Sequence, residues 1–347
     1  MDPIAILTAA LTLISGVGVF LIACTMMSSN LEALGSRRLK TLFSKTKENR
    51  LVGVGVGAAA TAVIQSSSAT SVIVIGLLNA GIITHAQAAT VIFGANIGTT
   101  VTGQIVAIGL FGGNTISASV VFAAFSGVGA FILAFSKKDK TKKLGGITAG
   151  FGLLFVGLSV MSEAMSGLSG SDKAIAFLAT FKSPLLLVFV GMLFTALVQS
   201  SSVTTSLAIT MTVTGLITLD QGIYLTIGSN IGTCVTALIA GLFSSTNAKR
   251  ASLVHLLFNV GGAAVFLIAG LIMRLFGADY GMLFVKMFPH APQMQLAMFH
   301  TIFNVITVCV FLPLVNPLVK LVTKLVHDKD TSGKEHKHAG AKTEPAG

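Results

Sequence analysis

The sequence predicts an all-α polytopic membrane protein made of two inverted-topology repeats, each with a re-entrant helical hairpin and a broken transmembrane helix. Three observations lead there. Of 347 residues, 53% are hydrophobic and only 10% are charged, and apolar runs of roughly 15 to 25 residues recur, the length that crosses a bilayer core of about 30 Å. A polar word, QSSS, breaks an apolar stretch at Gln65–Ser68 and again at Gln199–Ser202, and 199 − 65 = 134. The basic residues gather between the apolar runs, which orients the spans.

This composition excludes a soluble domain, and 37 Gly against 7 Pro suits closely packed membrane helices rather than a fibrous or disordered chain. A net charge of +11 would suggest nucleic acid in a soluble protein. Here the charge lies in loops, so the expected partner is the lipid bilayer and not nucleic acid. Cys24, Cys234 and Cys309 sit in apolar segments and read as small buried hydrophobes, not disulfides or metal ligands.

Taken in order, the run from Ile4 to Met27 lacks a basic leader and a small-residue cleavage site, so it reads as the first span and not a signal peptide. A basic loop follows: Arg37, Arg38, Lys40, Lys45, Lys47 and Arg50. Three apolar segments come next, Leu51 to Gly81, Ile82 to Phe111 and Ile116 to Phe135, before a second basic loop from Lys137 to Lys143. If both loops are cytoplasmic, an even number of crossings separates them, so one segment does not span. Leu51 to Gly81 is that segment, because QSSS at its centre splits it into two short arms.

Leu144 to Leu168 then crosses outward, and the Ser171 to Ser183 loop, with only Lys173 and Lys182, lies outside. Pro184 to Gly215 is the second hairpin. Leu219 to Phe243 returns to Lys249 and Arg250, Ala251 to Phe276 goes out, and Pro292 to Val319 brings the polar tail, His327 to Gly347, into the cytoplasm. The tail reads as solvated and disordered, with His336 and His338 at most weak metal ligands.

The halves match without a gap at several words. GANIGT at Gly94 returns as GSNIGT at Gly228, GVGVFL at Gly16 aligns with GFGLLF at Gly150, and Met27 falls on Met161. The expected division is a first repeat over 1–143, a second over 144–276, an additional span over 277–326 and a tail over 327–347. Under the charge assignment the repeats have opposite orientation. Inverted repeats with paired polar interruptions characterise secondary transporters, whose substrate site lies where the repeats meet.

A hairpin tip exposes backbone N–H groups at one helix start and carbonyls at another helix end, which attract anions and cations respectively. The hydroxyls of Ser66, Ser67, Ser68, Ser200, Ser201 and Ser202, and the amides of Gln65 and Gln199, both donate and accept. Thr70 and Thr204 follow close behind. Asn96 and Asn230, flanked by glycines, are expected to interrupt their helices, with Thr99 and Thr233 adding oxygens. Among 12 acidic residues only Glu163 and Asp220 are expected near a span, so the site is read as neutral oxygens, without a carboxylate to carry a proton. Such a site takes a hard cation, and an oxyanion whose charge the cation balances. A single QSSS would be ordinary helix-interface glue; two copies at one spacing, each in a hairpin, are not.

HLLFN at His255 and HTIFN at His300 place His and Asn, including Asn259 and Asn304, on one helical face. They read either as packing hydrogen bonds or as substrate or protonation contacts.

QSSSATS followed by GANIGTT, and QSSSVTTS followed by GSNIGTC and HLLFN, closely resemble the type II sodium-phosphate cotransporters over about residues 10 to 310. The resemblance implies sodium-driven import of inorganic phosphate, with phosphate between the tips at Gln65–Ser68 and Gln199–Ser202. It also implies sodium held by tip oxygens, among them Gln65, Ser68, Gln199 and Ser202, and by Ser229, Asn230 and Thr233. No organic cofactor and no enzyme activity are implied. Family members that move net charge carry an Asp where Ala123 stands here, with His and Asn at Phe122 and Ser126, which points to an electroneutral arrangement. The short loops and termini look like a compact bacterial member of the inner membrane, and a homo-oligomer is compatible with them. Transport of another small oxyanion, a passive anion channel, and an intramembrane hydrolase using Ser67 or Ser201 with His255 are the competing readings; the last lacks a G-x-S-x-G elbow.

Overall fold

The apolar runs fold as helices, and among the described residues helix is the only regular secondary structure. The structure, a computed structural model, describes residues 3–44, 49–111, 118–242 and 244–327. Its elements are α1 (Pro3–Ser44), α2 (Arg50–Ile64), α3 (Ser67–Asn79), α4 (His85–Gly109), α5 (Ala118–Phe135), α6 (Asp139–Ser169) and α7 (Asp172–Ala179). They continue as α8 (Pro184–Val198), α9 (Ser201–Val213), α10 (Leu219–Leu242), α11 (Thr246–Leu275), α12 (Tyr280–Met287), α13 (Pro292–Phe311) and α14 (Val315–Leu325). Seven of these, α1, α4, α5, α6, α10, α11 and α13, are long and apolar enough to cross a membrane. The chain is therefore an all-α multi-pass membrane protein.

The two expected hairpins are present as helix pairs. With 15 and 13 residues, α2 and α3 are about 22 and 20 Å long, too short to cross alone. The Thr61 and Thr70 hydroxyls, nine positions apart, are hydrogen-bonded at 2.9 Å, whereas a continuous helix would hold those residues about 13 Å apart. The direction of packing agrees: Gly94 of α4 lies against Val54 of α2, and Gly98 against Ala58. Both helices advance together, so α3 is the returning arm between them. Gly94 and Gly98 must be glycine because a Cβ would overlap the α2 backbone.

Every one of these features recurs 134 positions later. α8 and α9 begin and end at the positions equivalent to α2 and α3. Gly228 packs on Val188, Gly232 on Met192, and Thr195 meets Thr204 at 2.6 Å. The turn that closes each hairpin has a left-handed glycine, Gly81 (φ 68°) and Gly215 (φ 72°).

The helices α1 and α6 form the seam between the halves. A Cβ on Gly16 would meet Met161, and one on Gly150 would meet Met27; since 16 + 134 = 150 and 27 + 134 = 161, the contact is reciprocal and the pair antiparallel. Phe20, Leu154, Phe155, Leu158 and Met161 are buried there. The helix α13 packs against α4, α9 and α10, and an aromatic group of Phe266, Tyr280, Phe299 and Phe303 locks α11, α12 and α13.

Four expectations need correction. The GANIGT and GSNIGT words do not break their helices: α4 and α10 run unbroken through Asn96 and Asn230, because the flanking glycines serve close packing rather than a turn. The first basic cluster is not a loop, since α1 continues to Ser44; at 42 residues it is about 63 Å long, so its basic end projects past any bilayer core. Lys45 and Lys47 lie outside the described residues, as do Ile116 and the tail from 328 onward, which includes His336 and His338. In the second basic segment Lys143 pairs with Asp139 at 2.7 Å inside the first turn of α6. The last span ends at Phe311, where Pro313 removes a backbone donor, and α14 is a separate amphipathic helix that buries Val315, Leu318 and Val322 while Lys320 and Lys324 face outward.

Candidate functional site

At each tip the chain reverses in two residues. Gln65 ends α2 in the left-handed region (φ 59°, ψ 26°) and Ser66 is extended (φ −146°, ψ 108°). Gln199 (φ 57°, ψ 26°) and Ser200 (φ −144°, ψ 106°) do the same between α8 and α9. A left-handed non-glycine residue costs about 1–2 kcal/mol, and such strain concentrates at functional sites. Ser66 Oγ caps α3 by accepting from the Ala69 amide at 3.1 Å, and Ser200 Oγ caps α9 from Val203 at 3.4 Å. The next amides, of Ser67 and Ser68 and of Ser201 and Ser202, belong to helix first turns whose N–H groups have no intrahelical acceptor.

The two tips open into one cavity of about 440 Å³, lined by Gln65, Ser66, Ala69, Val198, Gln199 and Ser200 and by one face of α1. Two α-helix N-termini thus face a common polar space, an arrangement that favours an anion. The two left-handed glutamines line the same space, and their backbone amides close the helix ends by donating to the Thr61 and Thr195 carbonyls, each at 2.7 Å. Ser67 and Ser201 are buried behind the tips, and Ser68 and Ser202 are half-buried. Thr70 and Thr204 are the buried partners of the hydroxyl bridges that hold the arms together.

The other expected residues lie outside the cavity wall. Asn96 donates to the Ile92 carbonyl at 3.0 Å and Thr99 to Ala95 at 3.1 Å, within α4. Ser229 donates to Thr226 at 2.8 Å and Thr233 to Ser229 at 3.0 Å, within α10. Asn230 joins α10 to α13: its Nδ2 donates to Asn304 Oδ1 at 2.8 Å, so its Oδ1 is the acceptor for His300 Nε2 at 3.1 Å. The H-x-x-F-N words do not bond ring to amide as sequence suggested. Asn259 and Asn304 donate instead to the backbone carbonyls of His255 (3.0 Å) and His300 (2.9 Å), and among the described residues neither ring nitrogen of His255 has a hydrogen-bond partner.

Sequence reasoning missed two groups. Thr102 of α4 donates to Gln65 Oε1 at 2.8 Å and fixes that side chain. Thr25, Ser28, Ser29 and Glu32 of α1 line the cavity, so the expectation of a site free of carboxylates is corrected. The first span was ended at Met27, where the apolar run stops, but α1 carries on. The recurrence of Met27-Ser28 as Met161-Ser162 was the available signal. Among the described residues no group of three or more His, Cys, Asp or Glu could hold a metal ion. The buried hydroxyls of Ser71 and Thr205, equivalent by the 134 offset, make no hydrogen bond among the described residues.

Comparison with known proteins bears on this geometry. The family model described as Na+/Pi-cotransporter matches the chain twice, over residues 19–163 and 158–288, one QSSS word in each match. An uncharacterized protein of Bacillus subtilis (strain 168), YqeW, is 29% identical over 314 residues, covering 89% of this chain and 96% of its own length. YjbB of Escherichia coli (strain K12), named for inorganic phosphate export, is 24% identical over 321 residues, covering 92% of this chain; the chain spans 56% of YjbB's length. The human sodium-dependent phosphate transport protein 2B is 46% identical over 81 residues, 22% of this chain and 12% of its own. No solved structure matches.

Proposed function

From the premise that this chain belongs to the Na+/Pi-cotransporter family, we propose that it is a sodium-coupled symporter that imports inorganic phosphate by alternating access between two inverted repeats, 1–143 and 144–276. The observation that carries the reading is the cavity shared by the Gln65 and Gln199 tips. A helix N-terminus from each repeat supplies neutral donors to one anion, so phosphate is held without a buried basic residue. In this reading phosphate contacts the tip amides and hydroxyls over Gln65–Ser68 and Gln199–Ser202. Sodium meets the oxygens of Gln65, Ser68, Gln199 and Ser202. Asn96, Thr99, Ser229, Asn230 and Thr233 join it only by giving up the hydrogen bonds they make in this conformation. In this reading the protein sits in the plasma membrane, the inner membrane of a bacterium, and the clustering of basic residues supports a cytoplasmic tail.

A family of transporters argues against an enzyme, and the geometry agrees: Ser67 and Ser201 are buried behind the tips, and the His255 ring bonds neither. The name of YjbB favours a second reading of direction, export. Purified protein in proteoliposomes separates these. Labelled phosphate should accumulate against its gradient under an inward sodium gradient and be released under an outward one. Equal flux in potassium ends the sodium-coupled reading, and flux that never exceeds equilibration leaves a passive channel.

A further inference from the structure

The wall of α1 that faces the tips carries Thr25, Ser28, Ser29 and Glu32 on one helical face, and among the described residues Glu32 is the only charged one lining the cavity. A carboxylate beside an anion site repels the anion unless a cation lies between them. This face has a counterpart. Adding 134 to the four positions gives Ser159, Ser162, Glu163 and Ser166 on α6. MSSNLE and MSEAMS therefore each bear one carboxylate, at positions that differ by a single helical turn.

The reciprocal Gly16–Met161 and Gly150–Met27 contacts make α1 and α6 antiparallel, so the two polar faces point to opposite ends of the pair. At one end the face lines the cavity. At the other, Ser159, Glu163 and Ser166 are exposed on a helix apolar enough to span the membrane, a placement that is unfavourable against lipid and sensible beside water.

We propose that Glu32 and Glu163 are sided cation-recruiting residues: Glu32 draws a monovalent cation into the vestibule open in this structure, and Glu163 does so in an equivalent vestibule that opens along α6. The inference rests on the reading of the chain as an inverted-repeat, sodium-coupled phosphate transporter.

The test uses the full chain in proteoliposomes of determined orientation, with sodium titrated from one face at a time and labelled inorganic phosphate as reporter. Glu32→Gln should raise the half-saturating sodium concentration about fivefold from the face where Glu32 opens, the order expected for one charge across a hydrated cavity, and much less from the opposite face. Glu163→Gln should show the reverse sidedness. Glu32→Ser, which installs the residue found at the equivalent position of α6, should reproduce the shift, and adding Ser29→Glu should restore sodium affinity by recreating the α6 pattern. A purely structural role for Glu32 would not be rescued that way. A sodium-dependent wild type with unshifted Glu32 variants, or shifts equal from both faces, overturns this inference alone. A wild type indifferent to sodium overturns the functional reading beneath it.

Discussion

The two hairpin tips have the same backbone to within about two degrees at their glutamines, yet they stand in different surroundings. Gln65 is half-buried, and Thr102 of α4 holds its amide oxygen. Gln199 is exposed, and among the described residues its side chain has no hydrogen-bond partner, although Thr236 stands where the repeat places an equivalent of Thr102. The carboxylate in the cavity also comes from one half alone, Glu32 of α1. Identical words thus fix identical local folds, while the conformation of the whole decides which copy is latched. Under the proposed alternating access, equivalent residues of the two halves would face opposite sides of the membrane, and one conformation would be asymmetric in this way.

The comparison can be attacked first where the halves agree. Gly94→Val and Gly228→Val should be equally severe, because each Cβ would press on a backbone carbonyl, of Val54 or Val188, that cannot move aside. A loss of about 3 kcal/mol in each is expected from overpacking against fixed backbone, read as the unfolding midpoint of detergent-purified protein. Unequal losses would show that α2–α4 and α8–α10 are not equivalent packing units. The second attack falls where they differ. Thr102→Val strands Gln65 Oε1 and should lower stability by about 1–2 kcal/mol, whereas Thr236→Val should be nearly neutral. Equal effects would mean that Gln199 is latched as well.

The same contrast marks what the sequence made legible. The offset of 134, the two hairpins and the seven spans were visible because they depend on words and apolar lengths that hold in any context. The breaks expected at Asn96 and Asn230 were misplaced because a glycine-flanked asparagine is written the same way whether the glycines permit a turn or a close approach, and only the neighbouring Val54 and Val188 carbonyls reveal which. Glu32 escaped because a span was equated with its apolar run, while the structure continues α1 well past Met27. Thr102 and its bond to Gln65 joins residues 37 positions apart with no motif to announce it. The histidines were placed on the correct faces, but the partner of His300 is Asn230 of another helix.

The smallest effect is the sharpest probe of the tips. Both glutamines adopt a conformation that glycine enters without penalty. Gln199→Gly removes a side chain with no hydrogen-bond partner among the described residues, so relief of the left-handed strain should raise stability by up to about 1 kcal/mol. Gln65→Gly gains the same relief but leaves Thr102 without its acceptor, and the two terms should nearly cancel. Both variants should lose phosphate transport, since the amide is gone from the cavity in each. Stability and transport would then move in opposite directions at Gln199, as expected when a residue is kept strained for its chemistry rather than its fold. If Gln199→Gly were instead as destabilising as an ordinary core substitution, the side chain would have a structural partner in solution, and the asymmetry between the tips would vanish.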